Sequence, residues 1–157
     1  MMTLRRRVKY LLHNWCPGFA GRFSYYGTTV HFPPGAPLFR EICERGSFEP
    51  AVIARLEHLA AEGTTVFDVG ANIGLMAIPV LRRRATCRVV SFEPSPNSLP
   101  YLQRTARGAG FGERWLVVGK AVAAAVGALD FAVGHPSDAL FEGLGSAGRI
   151  ADARIIQ

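Results

Sequence analysis

Residues 64–94 constrain this chain more than any other stretch: T-T-V-F-D-V-G-A-N-I-G-L leads into a helical segment, which is followed by R-V-V-S-F-E-P. An apolar, β-branched run ends in an acid and a glycine-containing turn, and a second apolar run ends in another acid. That order describes a strand, a turn opening a helix, and a neighbouring strand, with both acids at the carboxyl ends of the strands. The expected elements are a strand over 65–69, a helix over about 73–83 and a strand over about 88–92. Val66 and Phe67 lead into Asp68, and Gly70 and Gly74 complete D-x-G-x-N-x-G. Gly70 can take a positive φ and lets a ligand approach the backbone without a Cβ in the way. Gly74 falls where the first helical turn passes close to the strand.

The details of the turn narrow the ligand. In a dinucleotide site the second glycine of G-x-G-x-x-G lets a pyrophosphate rest on the backbone. Here that position is Asn72, whose side chain crowds a pyrophosphate but can hydrogen-bond a smaller polar group. Glu93 follows Gly70 by 23 residues, close to the ~20 expected of an acid that accepts ribose hydroxyls. An adenosine without a diphosphate fits better than NAD, and S-adenosylmethionine is such a ligand. Taken singly, G-x-x-x-G also serves close packing and a strand-end carboxylate is often merely solvated. The two acids, the helix between them and the F-E-P-S-P step together favour the ligand.

D-V-G-A-N-I-G followed by S-F-E-P-S-P-N-S-L-P-Y-L resembles the FkbM-type branch of class I S-adenosylmethionine-dependent methyltransferases. Y-G-T-T-V-H-F-P-P-G and R-G-S-F-E-P upstream, and G-K-A-V-A-A-A-V-G-A-L-D-F downstream, extend the resemblance over roughly residues 23–150. It implies a Rossmann-like α/β fold with a mostly parallel, doubly wound sheet, and methylation of oxygen on a sugar, glycolipid or polyketide-like acceptor. It also implies that Lys120–Val122, centred on Ala121, flank the adenine. Members of the family continue into a strand with an acidic D-x-E-G-like segment, which nothing after Ile150 matches. On that reading 1–22 is a basic amphipathic helix and linker, and 23–157 is the cofactor-binding half of a methyltransferase domain, incomplete at its C-terminus. A parallel sheet needs both faces covered, so such a half is expected to be marginally stable, to aggregate, or to dimerise through an exposed apolar edge.

Asp68 is expected to organise the turn and to reach the amino group of the methionine part. Gly70, Asn72 and Gly74 shape the turn, Glu93 accepts the ribose hydroxyls, and Glu49 borders the methionine end. No catalytic base stands out. His31 and His135 qualify by chemistry alone, whereas His13 and His58 read as ordinary helix residues. No His, Asp or Glu cluster has metal-ligand spacing, and Ser146 lies in no nucleophile elbow.

Of 157 residues, 49% are hydrophobic and 19% charged, which provides a core and argues against disorder. The net charge of +6 comes almost wholly from arginine, since Lys9 and Lys120 are the only lysines. Arg5–Arg7 and Arg82–Arg84 cluster without interleaved aromatics, so nucleic acid is not the expected partner; the second cluster ends a helix, where cations suit the dipole. Leu4, Val8, Leu11, Leu12 and Trp15 recur at helical spacing among basic residues. They read first as a helix capping the domain and second as a helix resting on anionic lipid, a peripheral contact at most. The apolar run is too short for a membrane span or a signal segment, and three widely spaced cysteines suggest reduced thiols, so the cytoplasm is the expected location.

Elsewhere, residues 23–32 alternate around Gly27 as a hairpin, and 38–45 form a short helix. A helix opens at Glu49 and Pro50 and runs through Glu62, with Gly63 closing it. Ser95 caps a helix from Pro96 to about Arg107. Strands are expected over 115–118 and 129–133, and the glycine-rich tail from His135 is expected to be mobile. Three readings stay open: a small-molecule oxygen-methyltransferase or its cofactor-binding part; a non-catalytic remnant that needs a partner or further segment; and an NAD-binding oxidoreductase fragment.

Overall fold

A computed structural model describes residues 4–15, 21–33, 37–125, 127–132, 143–144 and 154–156. After helix α1 (Leu4–Trp15), strands β1 (Gly21–Tyr25) and β2 (Thr28–Phe32) pair antiparallel, Gly21 opposite Phe32. Tyr26 and Gly27 both take positive φ at the bend, the geometry of the tight turn whose twist suits a two-residue hairpin. Period-two alternation then sends Phe23, Tyr25, Val30 and Phe32 to one buried face. Helix α2 (Pro37–Arg45) answers with Phe39, whose ring stacks 4.4 Å from that of Phe32. Helix α3 (Pro50–Leu59) follows.

The centre of the chain is a parallel sheet in the order β3-β4-β5, formed by Thr65–Val69, Arg88–Phe92 and Trp115–Val118. Helix α4 (Ala77–Arg83) and helix α5 (Leu99–Gly108) are the crossovers. Strands this short and β-branched are what the apolar runs predict, and all three match. In register, Asp68 lies beside Ser91, and Val89 lies between Val66 and Trp115. Val66, Asp68, Val89, Ser91, Trp115 and Val117 therefore share the face on which the helices pack. Phe67, Val69, Val90, Phe92, Leu116 and Val118 point the other way. Phe67, Val69 and Leu116 are more than half exposed, and the Phe67 and Phe92 rings stack on that open side at 6.1 Å. A third, antiparallel sheet has the order β7-β6-β8, from Gly143–Leu144, Ala128–Ala132 and Arg154–Ile156.

Three helix boundaries differ from those the sequence suggests. Helix α3 ends at Leu59, where the Ala60 amide bonds back to the Leu56 carbonyl; Gly63, at φ 77°, serves the next turn instead. Helix α4 begins at Ala77, because the segment before it is wound as a turn with Asn72 and Gly74 at positive φ. Helix α5 begins at Leu99, after a turn over 96–98; Ser95 caps that turn, its Oγ accepting from the Asn97 amide and its carbonyl from the Ser98 and Leu99 amides, while its own amide donates to Glu93. The basic run 82–84 is not a loose cationic patch. Arg82 donates to the Gly27 carbonyl and to Thr28 Oγ1, and Arg84 donates to the Glu57 carbonyl. The glycine-rich tail from His135 lies, apart from β7 and β8, outside the described residues.

Candidate functional site

All three parallel strands end at the same edge, so Gly70, Glu93 and Gly119 emerge together. The backbone stitches these ends to one another. The Gly70 and Ala71 amides both donate to the Phe92 carbonyl, at 2.9 and 3.0 Å, and the Glu93 amide donates to the Val118 carbonyl at 3.0 Å. Glu93 completes the join with its side chain: Oε2 accepts from the Asn72 amide and Oε1 from the Ser95 amide, each at 2.7 Å. Both are direct backbone-to-carboxylate contacts, so the carboxylate bridges the two turns. Glu93 is only 6% exposed.

This clasp explains the shape of the turn. Asn72 sits at φ 49°, a left-handed conformation that asparagine tolerates better than most non-glycine residues, and in it the amide reaches Glu93. Gly74, at φ 90°, lies against Trp115: a Cβ there would stand 2.7 Å from the indole ring. A Cβ on Gly70 would meet nothing within 4 Å, so the space above that residue is open at the strand end. The sequence suggests Asp68 as organiser of the turn. In the structure the side chain that ties the turn down is that of Glu93, from the neighbouring strand.

No family model and no curated protein matches the chain. Among solved structures it is similar to the SAM-dependent methyltransferase from Agrobacterium tumefaciens, with a TM-score of 0.46 and 10% identity over 66% of this chain and 33% of that one. The chain thus spans about a third of the length of that structure.

Asp68 turns into the covered face. It borders a cavity of about 70 Å³ lined by Leu56, Met76, Ala77, Val80 and Val89, none of them ionisable. Burial pushes its pKa up to about 6, and the hydrogen bond that Ser91 Oγ donates to Oδ2 at 3.3 Å pulls the other way. Trp115 Nε1 in turn donates to Ser91 Oγ at 3.0 Å. An indole N–H can only donate, so the single hydroxyl hydrogen of Ser91 is left for the carboxylate. Trp115 and Ser91 are both buried. Neither was singled out from the sequence, because serine in R-V-V-S-F reads as one polar residue in a strand until the register sets it beside Asp68.

The remaining candidates scatter. Glu49 is exposed and left-handed (φ 38°) at the start of α3, with no side-chain hydrogen bond to the helix. Lys120 is exposed and Ala121 partly so, just past the end of β5. The His31 amide donates to Thr105 Oγ1 in α5, and desolvation, aided by Arg104 and Arg22, lowers its imidazole pKa. That places His31 in the packing of the hairpin against α5. His58 is exposed in the last turn of α3, and His13 belongs to α1; His135 and Ser146 lie outside the described residues. Among the described residues no group of His, Cys, Asp and Glu could hold a metal ion, and no helix is long and apolar enough to cross a membrane.

Proposed function

We propose that the chain binds S-adenosylmethionine across the carboxyl edge of its parallel sheet, as the cofactor-binding part of an oxygen-methyltransferase of the FkbM type acting on a sugar, glycolipid or polyketide-like acceptor. The observation that carries this reading is the clasp from Glu93 to the Asn72 amide, which unites the two sequence motifs in one site. Gly70 leaves open space for the ligand, Glu93 accepts the ribose hydroxyls, and Asp68 offers an oxygen to the methionine ammonium. Gly74 holds the turn on Trp115, and Ala121 borders the adenine. Asn72 occupies the position that a pyrophosphate would need, which favours S-adenosylmethionine over NAD.

The cofactor supplies a methyl group already activated by its sulfonium. The protein's part is to hold the accepting oxygen in line, about 3 Å from that carbon, and to have its proton removed. A second reading keeps the same cofactor site without catalysis, completed by a partner or a further segment. The open face of the sheet, Phe67, Val69 and Leu116, favours it.

Calorimetric titration with S-adenosylhomocysteine, with NAD beside it, tests the site. Micromolar binding of the first and none of the second is expected. Glu93→Ala disturbs turn and ribose together, so the 2′-deoxy analogue of the ligand is the cleaner probe of the ribose contact. It should bind about tenfold more weakly, the loss of a hydrogen bond to a charged group. Binding of NAD in preference to S-adenosylhomocysteine would refute the reading. Methyl transfer to any acceptor would separate the enzyme from the non-catalytic form.

A further inference from the structure

Helix α1 is laid out in an unusual way. At about 100° per residue, Leu4, Val8, Leu11 and Leu12 fall within roughly a third of its circumference. The sequence reads this stripe first as the inner side of a capping helix. In the structure Leu4 is 79% exposed, Leu11 53%, Val8 48% and Leu12 45%. The stripe faces outward. Single exposed leucines need no explanation, but four aliphatic residues aligned on one exposed stripe do.

The rest of the helix indicates what the stripe meets. Residues 4–15 contain Arg5, Arg6, Arg7 and Lys9 and no acid. Arg5 follows Leu12 around the helix and Arg7 precedes Leu11, so the two flank the stripe on opposite sides, and both are exposed. The 12 residues make a rod of about 18 Å, too short to span a bilayer and long enough to lie along its surface. A nucleic acid would take the cations but has no use for the aliphatic stripe. A surface that is uniformly anionic above and hydrocarbon below takes both.

We propose that α1 docks the protein on anionic lipid, lying in the headgroup plane with Leu4, Val8, Leu11 and Leu12 immersed and the arginines at the phosphates. The inference is independent of the cofactor site. Arg5 and Arg7 meet the headgroups first, and the aliphatic stripe holds the helix after the counterions are displaced.

The test is flotation of the full chain with vesicles of phosphatidylcholine alone or with about a third phosphatidylserine. At least tenfold stronger binding to the anionic vesicles is expected, since each basic residue near such a surface contributes on the order of 1 kcal/mol. Leu4→Ser with Leu11→Ser, and Arg5→Glu with Arg7→Glu, should each weaken binding at least tenfold. Both should leave the thermal transition of the chain unchanged, because these side chains are exposed. Binding that survives the leucine changes would be charge adsorption alone and would overturn the proposal. So would equal binding to neutral vesicles, retention of an RNA but not of vesicles, or no flotation.

Discussion

The two faces of the β3-β4-β5 sheet are made of similar residues under different conditions. On one, Val66, Val89 and Trp115 meet α3, α4 and α5, with Gly74 so close to the indole that no Cβ fits. On the other, Phe67, Val69 and Leu116 stay largely exposed, and the Phe67 ring stacks on that of Phe92. Polar chemistry follows the same division. The covered face carries the chain from Trp115 through Ser91 to Asp68, whose pKa is raised because the face excludes water. Hydrophobicity alone therefore does not make a core; a second layer does, and that layer is what gives Asp68 its properties.

Gly74→Val would break the covered face most severely. It sets a branched side chain where 2.7 Å is available, at φ 90°, so a loss of about 3 kcal/mol or more is expected, read as a much lower or vanished denaturation midpoint. Val89→Ala on the covered face should cost about 2 kcal/mol, whereas Val69→Ala on the open face should cost at most about 0.5 kcal/mol. Equal values in urea titration would show that the faces are not different. Asp68→Asn sharpens the electrostatic side. An acid whose pKa is about 3.8 unfolded and about 6 folded binds more protons in the folded state between those values, so it makes the fold less stable as pH rises from about 4 to 6. The Asn variant should remove that decline and gain on the order of 2 kcal/mol above pH 6, measured as melting temperature against pH, while weakening S-adenosylhomocysteine. Ser91→Ala should cost about 1 kcal/mol by orphaning the indole N–H, and Ser91→Thr should restore most of it if the strand accommodates the extra methyl.

The strands were legible because their signal is local. T-V-F-D-V, R-V-V-S-F and W-L-V-V are continuous apolar runs, the pattern of parallel strands, and their limits match the structure. That same continuity hid the difference between the faces: it implies cover on both sides, while cover is decided by elements far away in sequence. Two helices start later than the sequence suggests because a turn precedes each. Asn72 and Gly74, turn residues by sequence, carry their turn on to Met76, and residues 96–98 form a turn that Ser95 opens by accepting the Asn97 amide on its Oγ. The pairing of Glu93 with the turn was anticipated as a shared ligand site, and its direct bond to the Asn72 amide was not. The relay through Ser91 depends on register, which no single strand contains.

The open face also bears on how the protein responds to temperature. The heat capacity of unfolding arises mainly from apolar surface newly wetted when the chain opens, and is ordinarily roughly 12–15 cal/mol/K per residue. Phe67, Val69 and Leu116 are largely wet before unfolding begins, so they add little to that increment. For a chain of this length the heat capacity of unfolding should fall below the ordinary value by less than about a tenth, a small deficit that belongs to the open face alone.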